Sequence, residues 1–326
     1  MKVSVVMATY NGAAHVAEQL NSILANDRLP DELIVIDDHS TDGTMRLLRE
    51  LLGGRREVEV IIESNRTNLG PTATFVKGIL RSTGDVVLTA DQDDRWAKEK
   101  IGTMVREFQT DPDVVMTYSD GTITDAQLVP NGRTIFSTRR KADLHLGQQR
   151  DPTAVAANPD IKGCTMAMKG EMVRSLLAAG DPLFQRYWGH DHWIALFAFG
   201  LGKVTVLSDA LIDHRMHGRN TSAGAKFRPW SPKDWRKWML RIRQQSSDHD
   251  SERYRIALQK AEQLGSKFSQ PLKSALQGMH ELSLQREALK GLPFPARIRS
   301  AMKIRRHGHY TTHYNGTLTL LRDLFL

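Results

Sequence analysis

The chain has 326 residues, of which 40% are hydrophobic and 25% are charged, a balance that excludes wholesale disorder and fibrous repeats. Its single cysteine, Cys164, excludes an intramolecular disulfide and cysteine-based metal clusters. The low cysteine content and an N-terminal sequence without the apolar core of a signal peptide predict a cytoplasmic protein. The net charge of +8 is uneven, because residues 226–326 contain 20 basic and 8 acidic side chains, whereas residues 1–225 are slightly acidic.

Short apolar runs alternate with segments of helical period over the first half of the chain. The runs predict five strands, at Val3–Ala8, Leu33–Ile36, Val58–Ile62, Val86–Leu88 and Val114–Tyr118. Because these runs are continuously apolar and do not alternate with polar residues, we expect a largely parallel sheet that is buried on both faces. The sequence therefore predicts an α/β fold, with helices covering the sheet.

Helical spacing of apolar residues places helices between and after these strands. It predicts a helix over residues 16–24, with Asn11 as its cap, and a second helix over Pro71–Leu80. A third helix contains Ile194–Phe199. Strand character resumes in the runs Val204–Leu207 and Leu211–His214.

Three of the predicted strands end in polar residues, at Thr9-Tyr10-Asn11, Asp37-Asp38 and Asp91-Gln92-Asp93-Asp94. In open α/β sheets, ligands bind beyond the carboxyl ends of the strands. The first of these loops has a single glycine, which disfavours a dinucleotide-binding dehydrogenase. Three carboxylates within four residues repel one another, and a hard cation among them relieves this. We therefore expect Mg²⁺ or Mn²⁺ here, with substrate phosphates completing its shell.

Six stretches carry a resemblance to a known family. They are Val3–Gly12, Ile36–Thr44, Asp91–Trp96, Gly163–Met166, His190–Leu196 and Arg215–Ser222. In this order, over about residues 1–225, the set resembles the family 2 glycosyltransferases. The Asp-Gln-Asp-Asp-x-Trp form is most similar to bacterial rhamnosyltransferase-like members.

The resemblance implies a GT-A fold, which is a Rossmann-like, mixed and mostly parallel sheet flanked by helices. It also implies a nucleotide-sugar donor, a divalent metal and inversion at the anomeric carbon. Donor-binding residues carried over by motif are Thr9, Tyr10, Asn11, Asp38, Asn68 and Asp91. Asp38 would accept a hydrogen bond from the N3–H of uracil or thymine. Metal ligands would be Asp93, Asp94 and His217, and diphosphate or acceptor contacts would come from Gly163, Cys164, Thr165, His190, Arg215 and Arg219.

Asp191 is the predicted general base. An inverting transfer needs one base within about 3 Å of the acceptor hydroxyl, on the face opposite the departing diphosphate. Asp191 precedes an apolar helical segment, and Trp188 and Trp193 flank it in the sequence. The alternative is an aspartate that only caps a helix.

The charge distribution predicts two domains with different roles. Residues 1–225 would form the catalytic domain, with a nucleotide-sugar-binding half (1–120) and an acceptor-binding half (121–225). Residues 226–326 would form a helical, basic extension. There, Trp235 and Trp238 interleave with lysines and arginines, which favours peripheral contact with an anionic membrane. The alternative is packing of this tryptophan stripe on the catalytic domain.

The function predicted from the sequence is glycosyl transfer in cell-surface polysaccharide synthesis. The donor would be dTDP-rhamnose or a UDP-hexose, and the acceptor a saccharide or a lipid-linked saccharide. A metal-dependent nucleotidyltransferase is an alternative, although the loop after the first strand lacks the glycines and basic residues that hold a triphosphate. A non-enzymatic nucleic-acid-binding protein is a further alternative, and it leaves the acidic strand ends without a purpose.

Overall fold

The computed structural model describes residues 1–138, 150–159, 161–178, 183–217, 250–306, 320 and 323–324. Its two compact units are Met1–Arg150 with Asp160–Asn220, and Asp151–Pro159 with Thr221–Leu326. The functional division predicted at residue 225 remains a prediction. Trp235 and Trp238 lie outside the described residues.

The first unit is built on a single mixed sheet. Its strands are β1 (Val3–Thr9), β2 (Glu32–Asp37), β3 (Glu59–Ser64), β4 (Val86–Ala90), β5 (Arg95–Trp96), β6 (Val114–Thr124), β7 (Pro130–Thr134), β8 (Met166–Lys169) and β9 (Lys203–Arg215). The strand order is β3-β2-β1-β4-β8-β6-β9-β5, and β7 pairs with β6. Strands β3, β2, β1 and β4 are mutually parallel, as predicted, whereas β8 runs antiparallel to both of its neighbours.

Helices cover this sheet, which confirms the predicted α/β fold. They are α1 (Val16–Leu24), α2 (Thr44–Leu52), α3 (Pro71–Arg81), α4 (Lys100–Thr110), α6 (Gly170–Ala178), α7 (Phe184–Tyr187) and α8 (His190–Leu201), with α5 (Pro152–Ala157) belonging to the second unit. α3 approaches the sheet closely at Gly78, where a Cβ atom would lie 2.4 Å from Val6 Cγ1. The β1 and β2 side chains from Val5 to Met7 and from Leu33 to Ile36 have no exposed surface, and they form the centre of the core.

The second unit is helical in its described part. Besides α5 it contains α9 (Asp250–Leu264), α10 (Gln270–Leu289) and α11 (Phe294–Arg306). Ser269 caps α10, and α10 packs against both α9 and α5. Inside the unit, the buried Arg286 guanidinium pairs with Asp323 at 2.7 Å. Among the described residues, none of the helices combines the length and apolar composition needed to cross a membrane.

Candidate active site

The loops that follow β1, β2 and β4 emerge side by side, because β1 lies between the other two strands. Backbone hydrogen bonds continue the pairing beyond the strands. The Asp38 N–H donates to the Thr9 carbonyl at 2.7 Å, and the Asn65 N–H donates to the Asp37 carbonyl at 2.7 Å. Thr9, at the end of β1, and the loops that carry Asp38 and Asp91 therefore border one edge of the sheet.

Gln92 joins the loop after β1 to the acidic loop after β4. Its Oε1 accepts a hydrogen bond from the Tyr10 N–H at 2.8 Å, and its Nε2 donates to the Tyr10 carbonyl at 3.0 Å. Gly12 lies against the same amide, because a Cβ at Gly12 would be 2.1 Å from Gln92 Oε1. The Tyr10 side chain stays 48% exposed beside this contact. The sequence indicated Tyr10 as a donor-binding residue, which stays a prediction, and it did not indicate Gln92.

Asn11 does not cap α1, so that prediction was wrong. α1 begins only at Val16, and Asn11 has a φ of 46°, in the left-handed region. Its Oδ1 accepts a hydrogen bond from the Thr41 N–H at 2.9 Å, and its own N–H donates to Ser40 Oγ at 2.9 Å. Asn11 therefore links the loops after β1 and β2.

Asp38 is buried and holds the loop that leads into α3. Its Oδ1 accepts hydrogen bonds from Asn65 Nδ2 at 2.9 Å and from the Leu69 N–H at 2.8 Å, and its Oδ2 accepts one from the Gly70 N–H at 2.8 Å. Asn68 is an exposed member of this loop. Asp38 therefore stabilises the loop, a task that the sequence did not indicate.

The three carboxylates after β4 converge. One oxygen from each of Asp91, Asp93 and Asp94 lies within 4.8 Å of the others. Burial, followed by the charges of Asp94 and Asp93, raises the pKa of Asp91 to about 7. The charge of Asp191 adds a smaller contribution in the same direction.

Asp94 is fully buried, and its two oxygens differ. Oδ1 lies 3.0 Å from His214 Nδ1 and accepts a hydrogen bond from the Arg215 N–H at 3.1 Å, whereas Oδ2 has no hydrogen-bond partner among the described residues. Burial alone would lower the pKa of His214, but the Asp94 carboxylate outweighs it and raises that pKa. His214 was not among the predicted site residues.

His217 and Arg215 approach the cluster from the end of β9. His217 Nε2 lies 2.6 Å from Asp93 Oδ2, and its ring stacks on His15 with centroids 5.1 Å apart. The buried Arg215 guanidinium donates to the Asp93 carbonyl at 2.7 Å and to Glu18 at 2.5 Å. Arg215 therefore holds the acidic loop against α1. Arg219 lies outside the described residues.

The residues Gly163, Cys164 and Thr165 form a buried 3-10 turn just before β8. Thr89 Oγ1 donates a hydrogen bond to the Gly163 carbonyl at 2.6 Å. The Lys100 ammonium, which the sequence did not single out, donates to the Cys164 carbonyl at 2.7 Å. The turn is thus fixed from β4 and from α4.

Asp191 and His190 are the first two residues of α8, next to this turn. A Cβ at Gly163 would lie 3.0 Å from His190 Nε2 and 3.6 Å from Asp191 Cβ. His190 is buried, stacks on Phe75 at 4.2 Å between centroids, and has its pKa lowered by burial. Asp191 is only partly buried, and its Oδ1 accepts a hydrogen bond from the N–H of the next residue.

The cluster fits a hard divalent cation. Its donors are carboxylate oxygens, which Mg²⁺ and Mn²⁺ prefer, and the imidazole of His217 lies beside them. Asp94 Oδ2 is buried without a hydrogen bond in the described structure, an arrangement that is costly unless a cation is bound there. Asp91, Asp93, Asp94 and His217 are the residues that would hold the ion.

Comparison with known proteins gives a consistent result. Residues 4–158 match the model of Glycosyl transferase family 2. An uncharacterized glycosyltransferase of Nostoc sp. is 29% identical over 230 residues, which are 69% of this chain and 68% of that protein. The dTDP-rhamnosyl transferase RfbG of Shigella flexneri is 33% identical over 201 residues, 59% of this chain and 64% of that protein. The matched part thus spans about two thirds of each relative.

A solved structure shows the same fold. The mannosyltransferase PcManGT from Pyrobaculum calidifontis, in complex with GDP-Man and Mn²⁺, aligns with a TM-score of 0.54 at 19% identity, covering 94% of this chain and 75% of that one. Fold and relatives together define the class of protein as a glycosyltransferase of the GT-A fold. More narrowly, residues 4–158 carry the match to glycosyl transferase family 2. This favours glycosyl transfer over the nucleotidyltransferase and nucleic-acid-binding alternatives.

Proposed function

We propose that the protein is an inverting glycosyltransferase that uses a dTDP- or UDP-linked sugar and a divalent cation. The observation that carries the proposal is the convergence of Asp91, Asp93 and Asp94 beyond β4, beside the Gly163 turn that Thr89 holds and that packs against Asp191 at the start of α8. One site thus contains a base for the acceptor hydroxyl and carboxylates for a metal-bound diphosphate.

The nucleoside would bind across the loops after β1 and β2. Tyr10 offers an exposed aromatic ring for the base, and Gln92 fixes the backbone of that residue. Asp38 Oδ2 accepts a single hydrogen bond among the described residues, so it retains a lone pair for the N3–H of uracil or thymine. The relation to a dTDP-rhamnosyl transferase supports dTDP-rhamnose as the first donor to test.

A bound Mg²⁺ or Mn²⁺ would neutralise charge on the diphosphate leaving group. In the transfer itself, Asp191 takes the proton of the acceptor hydroxyl while that oxygen attacks the anomeric carbon of the sugar. The new bond joins the acceptor oxygen to the sugar, and the bond from the sugar to the diphosphate breaks. Attack from the opposite face inverts the anomeric configuration.

The acceptor would be a saccharide, and a lipid-linked one would bring the enzyme to the cytoplasmic face of a membrane. The exposed apolar side chains Phe294, Ile298 and Met302 recur on α11 every fourth residue. The helix also carries basic residues and no acidic ones. Such a helix is typical of one that lies on an anionic lipid surface.

Calorimetric titration with dTDP, UDP and GDP, each with and without Mn²⁺, tests the donor site. We expect Mn²⁺-dependent binding of dTDP or UDP to the wild type, and its loss in Asp93→Asn. Asp191→Asn should bind the nucleotide normally and transfer no sugar. Asp209→Asn, which changes an exposed aspartate of β9, is the control. Nucleotide binding that does not require Mn²⁺ and is not weakened in Asp93→Asn would contradict the metal assignment. Substantial transfer by Asp191→Asn would contradict the assignment of Asp191 as the base.

Co-sedimentation with vesicles tests the membrane contact separately. We expect binding to anionic vesicles at low salt, release at high salt, and loss in the Ile298→Glu, Met302→Glu double variant. Leu284→Glu is the control, because Leu284 is a 49% exposed apolar side chain on α10. Equal binding to neutral vesicles, or none at low salt, would contradict this part of the proposal.

A further inference from the structure

Asn65 is a buried polar residue to which the sequence assigned no role. It follows β3 directly and is 5% exposed. Its Nδ2 donates to Asp38 Oδ1 at 2.9 Å and to Thr74 Oγ1 at 3.2 Å, and its Oδ1 accepts a hydrogen bond from the Lys77 ammonium at 3.1 Å. The amide therefore uses both of its N–H groups and its oxygen.

The orientation of this amide is set by the chemistry of its partners. An ammonium group can only donate, so the contact with Lys77 requires the amide oxygen. Thr74 Oγ1 donates its single proton to the Gly70 carbonyl at 2.9 Å, so towards Asn65 it is an acceptor. A carboxylate can only accept as well. All three contacts thus require that Nδ2 faces Asp38 and that Oδ1 faces Lys77.

Two cations of α3 lie on the far side of Asn65 from Asp38 or next to it on the surface. The Lys77 ammonium lies 3.1 Å from Glu63 Oε2, and the Arg81 guanidinium lies 3.1 Å from Glu63 Oε1. Because Glu63 belongs to β3, both cations tie α3 to the sheet. Of the two, only Lys77 also contacts Asn65 in the described structure. The pair therefore offers a way to separate the tie between α3 and β3 from the contact with the amide.

The contact with Asn65 determines which oxygen of Asp38 stays open. A carboxylate oxygen has two acceptor positions. On Oδ1 both are taken, by Asn65 Nδ2 and by the Leu69 N–H, whereas Oδ2 accepts only from the Gly70 N–H among the described residues. The remaining position is therefore on Oδ2. Donors on both oxygens hold the plane of the carboxylate and fix the direction of that position.

We propose that Asn65 is a positioning residue that determines base specificity, because it fills Oδ1 of Asp38 and directs the N3–H of uracil or thymine to Oδ2. The inference rests on the proposed function, in which Asp38 accepts that hydrogen bond. Cytosine has a lone pair on N3 where uracil has an N–H, so a fixed carboxylate meets a second acceptor there. Thr74 and Lys77 hold the amide of Asn65 in the orientation that this selection needs.

Calorimetric titration of the full chain with UDP, dTDP and CDP in the presence of Mn²⁺ measures the selection, as the ratio of the Kd for CDP to the Kd for UDP. In Asn65→Ala, Oδ1 regains an open position and the carboxylate can turn. We expect the Kd for UDP and for dTDP to rise about tenfold while the Kd for CDP stays, so the ratio should fall about tenfold.

Two variants of α3 complete the test. Lys77→Met keeps Asn65 but removes the donor to its oxygen, so the ratio should fall about threefold. Arg81→Met is the matched control, because it removes a cation from the same Glu63 and leaves the contacts of Asn65 in place. Its ratio should equal that of the wild type.

A purely structural role of Asn65 predicts a different pattern. If Asn65 only joined the end of β3 to α3, its loss would lower the midpoint of thermal unfolding and weaken UDP and CDP binding by the same factor. The ratio would then not move. If Asn65→Ala does not fold, Lys77→Met replaces it, because the Lys77 side chain is 33% exposed and its loss opens no cavity in the core.

A ratio for Asn65→Ala equal to that of a wild type that prefers UDP would overturn the role of Asn65 and leave the proposed donor site intact. With Lys77→Met as the replacement, an unchanged ratio would do the same. A wild type that binds UDP and CDP equally would overturn this inference together with the role of Asp38, but not the metal assignment. A wild type that binds none of the three nucleotides would overturn the proposed function as well.

Discussion

Glu32, at the start of β2, allows the stability of the first unit to be tested apart from its chemistry. Its side chain is 1% exposed. Its carboxylate accepts hydrogen bonds from the Ser4 hydroxyl and from the N–H and hydroxyl of Thr83, the last two at 2.6 and 2.8 Å. The Lys2 ammonium lies 3.2 Å away. Burial alone would raise the pKa of Glu32, but these donors outweigh it and lower the pKa to about 2.

The shift from the ordinary value of 4.5 corresponds to about 3 kcal/mol in favour of the folded state. Because the pKa is lower in the folded chain than in the unfolded one, the contribution is complete above pH 4.5. It is lost as the pH falls from 4.5 towards 2. In Glu32→Gln, an amide N–H faces donors that a carboxylate satisfied, so the variant should lack this contribution at every pH.

Urea unfolding of the full chain, followed by circular dichroism between pH 7 and pH 3, measures the effect. We expect Glu32→Gln to be about 3 kcal/mol less stable than the wild type at pH 7, with a difference that shrinks as the pH approaches 3. The control is Glu59→Gln, because Glu59 approaches the same lysine at 3.5 Å but is 62% exposed. It should change stability by less than about 1 kcal/mol. A difference between Glu32→Gln and wild type that does not vary with pH would refute the reasoning.

Two further predictions concern other contacts. Gln92→Leu removes both hydrogen bonds to the Tyr10 backbone. The Kd for dTDP, measured by calorimetry, should therefore rise about tenfold. An unchanged Kd would mean that the loop keeps its shape without the amide. Arg286→Ala removes the buried guanidinium that pairs with Asp323 at 2.7 Å, so the second unit should lose about 3–5 kcal/mol of stability in urea. A loss below about 1 kcal/mol would contradict this prediction.

The strands could be predicted because their signal is local. Continuous apolar runs located β1 to β4 to within a few residues, and helical spacing located α3. The run Val114–Tyr118 marked only the first part of β6, which continues to Thr124 through polar residues paired with β9. β8 was missed, because Met166–Lys169 is too short and too poor in branched residues to stand out from the motif before it.

The site residues also fall into those that the sequence could indicate and those that it could not. Thr9, Asp38 and the three aspartates after β4 could be placed at one edge of the sheet from the sequence, because strand ends mark the ligand-binding edge of a parallel sheet. Their partners could not, because each depends on which distant segment packs against them. His214 lies 120 residues from Asp94 along the chain, and Lys100 lies 64 residues from Cys164. The spacing of residues within a short stretch of sequence gives no indication of such distant pairs.

The segment Asp151–Pro159 belongs to the helical unit although it interrupts the sequence of the sheet unit. It contains α5, whose buried Val155 and Ala156 lie on a helix packed against α10. The two units are therefore interleaved along the gene and not joined end to end. A recombination event with a single crossover near residue 220 would separate α5 from the helix that covers it. Exchange of the helical unit between relatives therefore requires two coordinated replacements, which ties its evolution to that of the sheet unit.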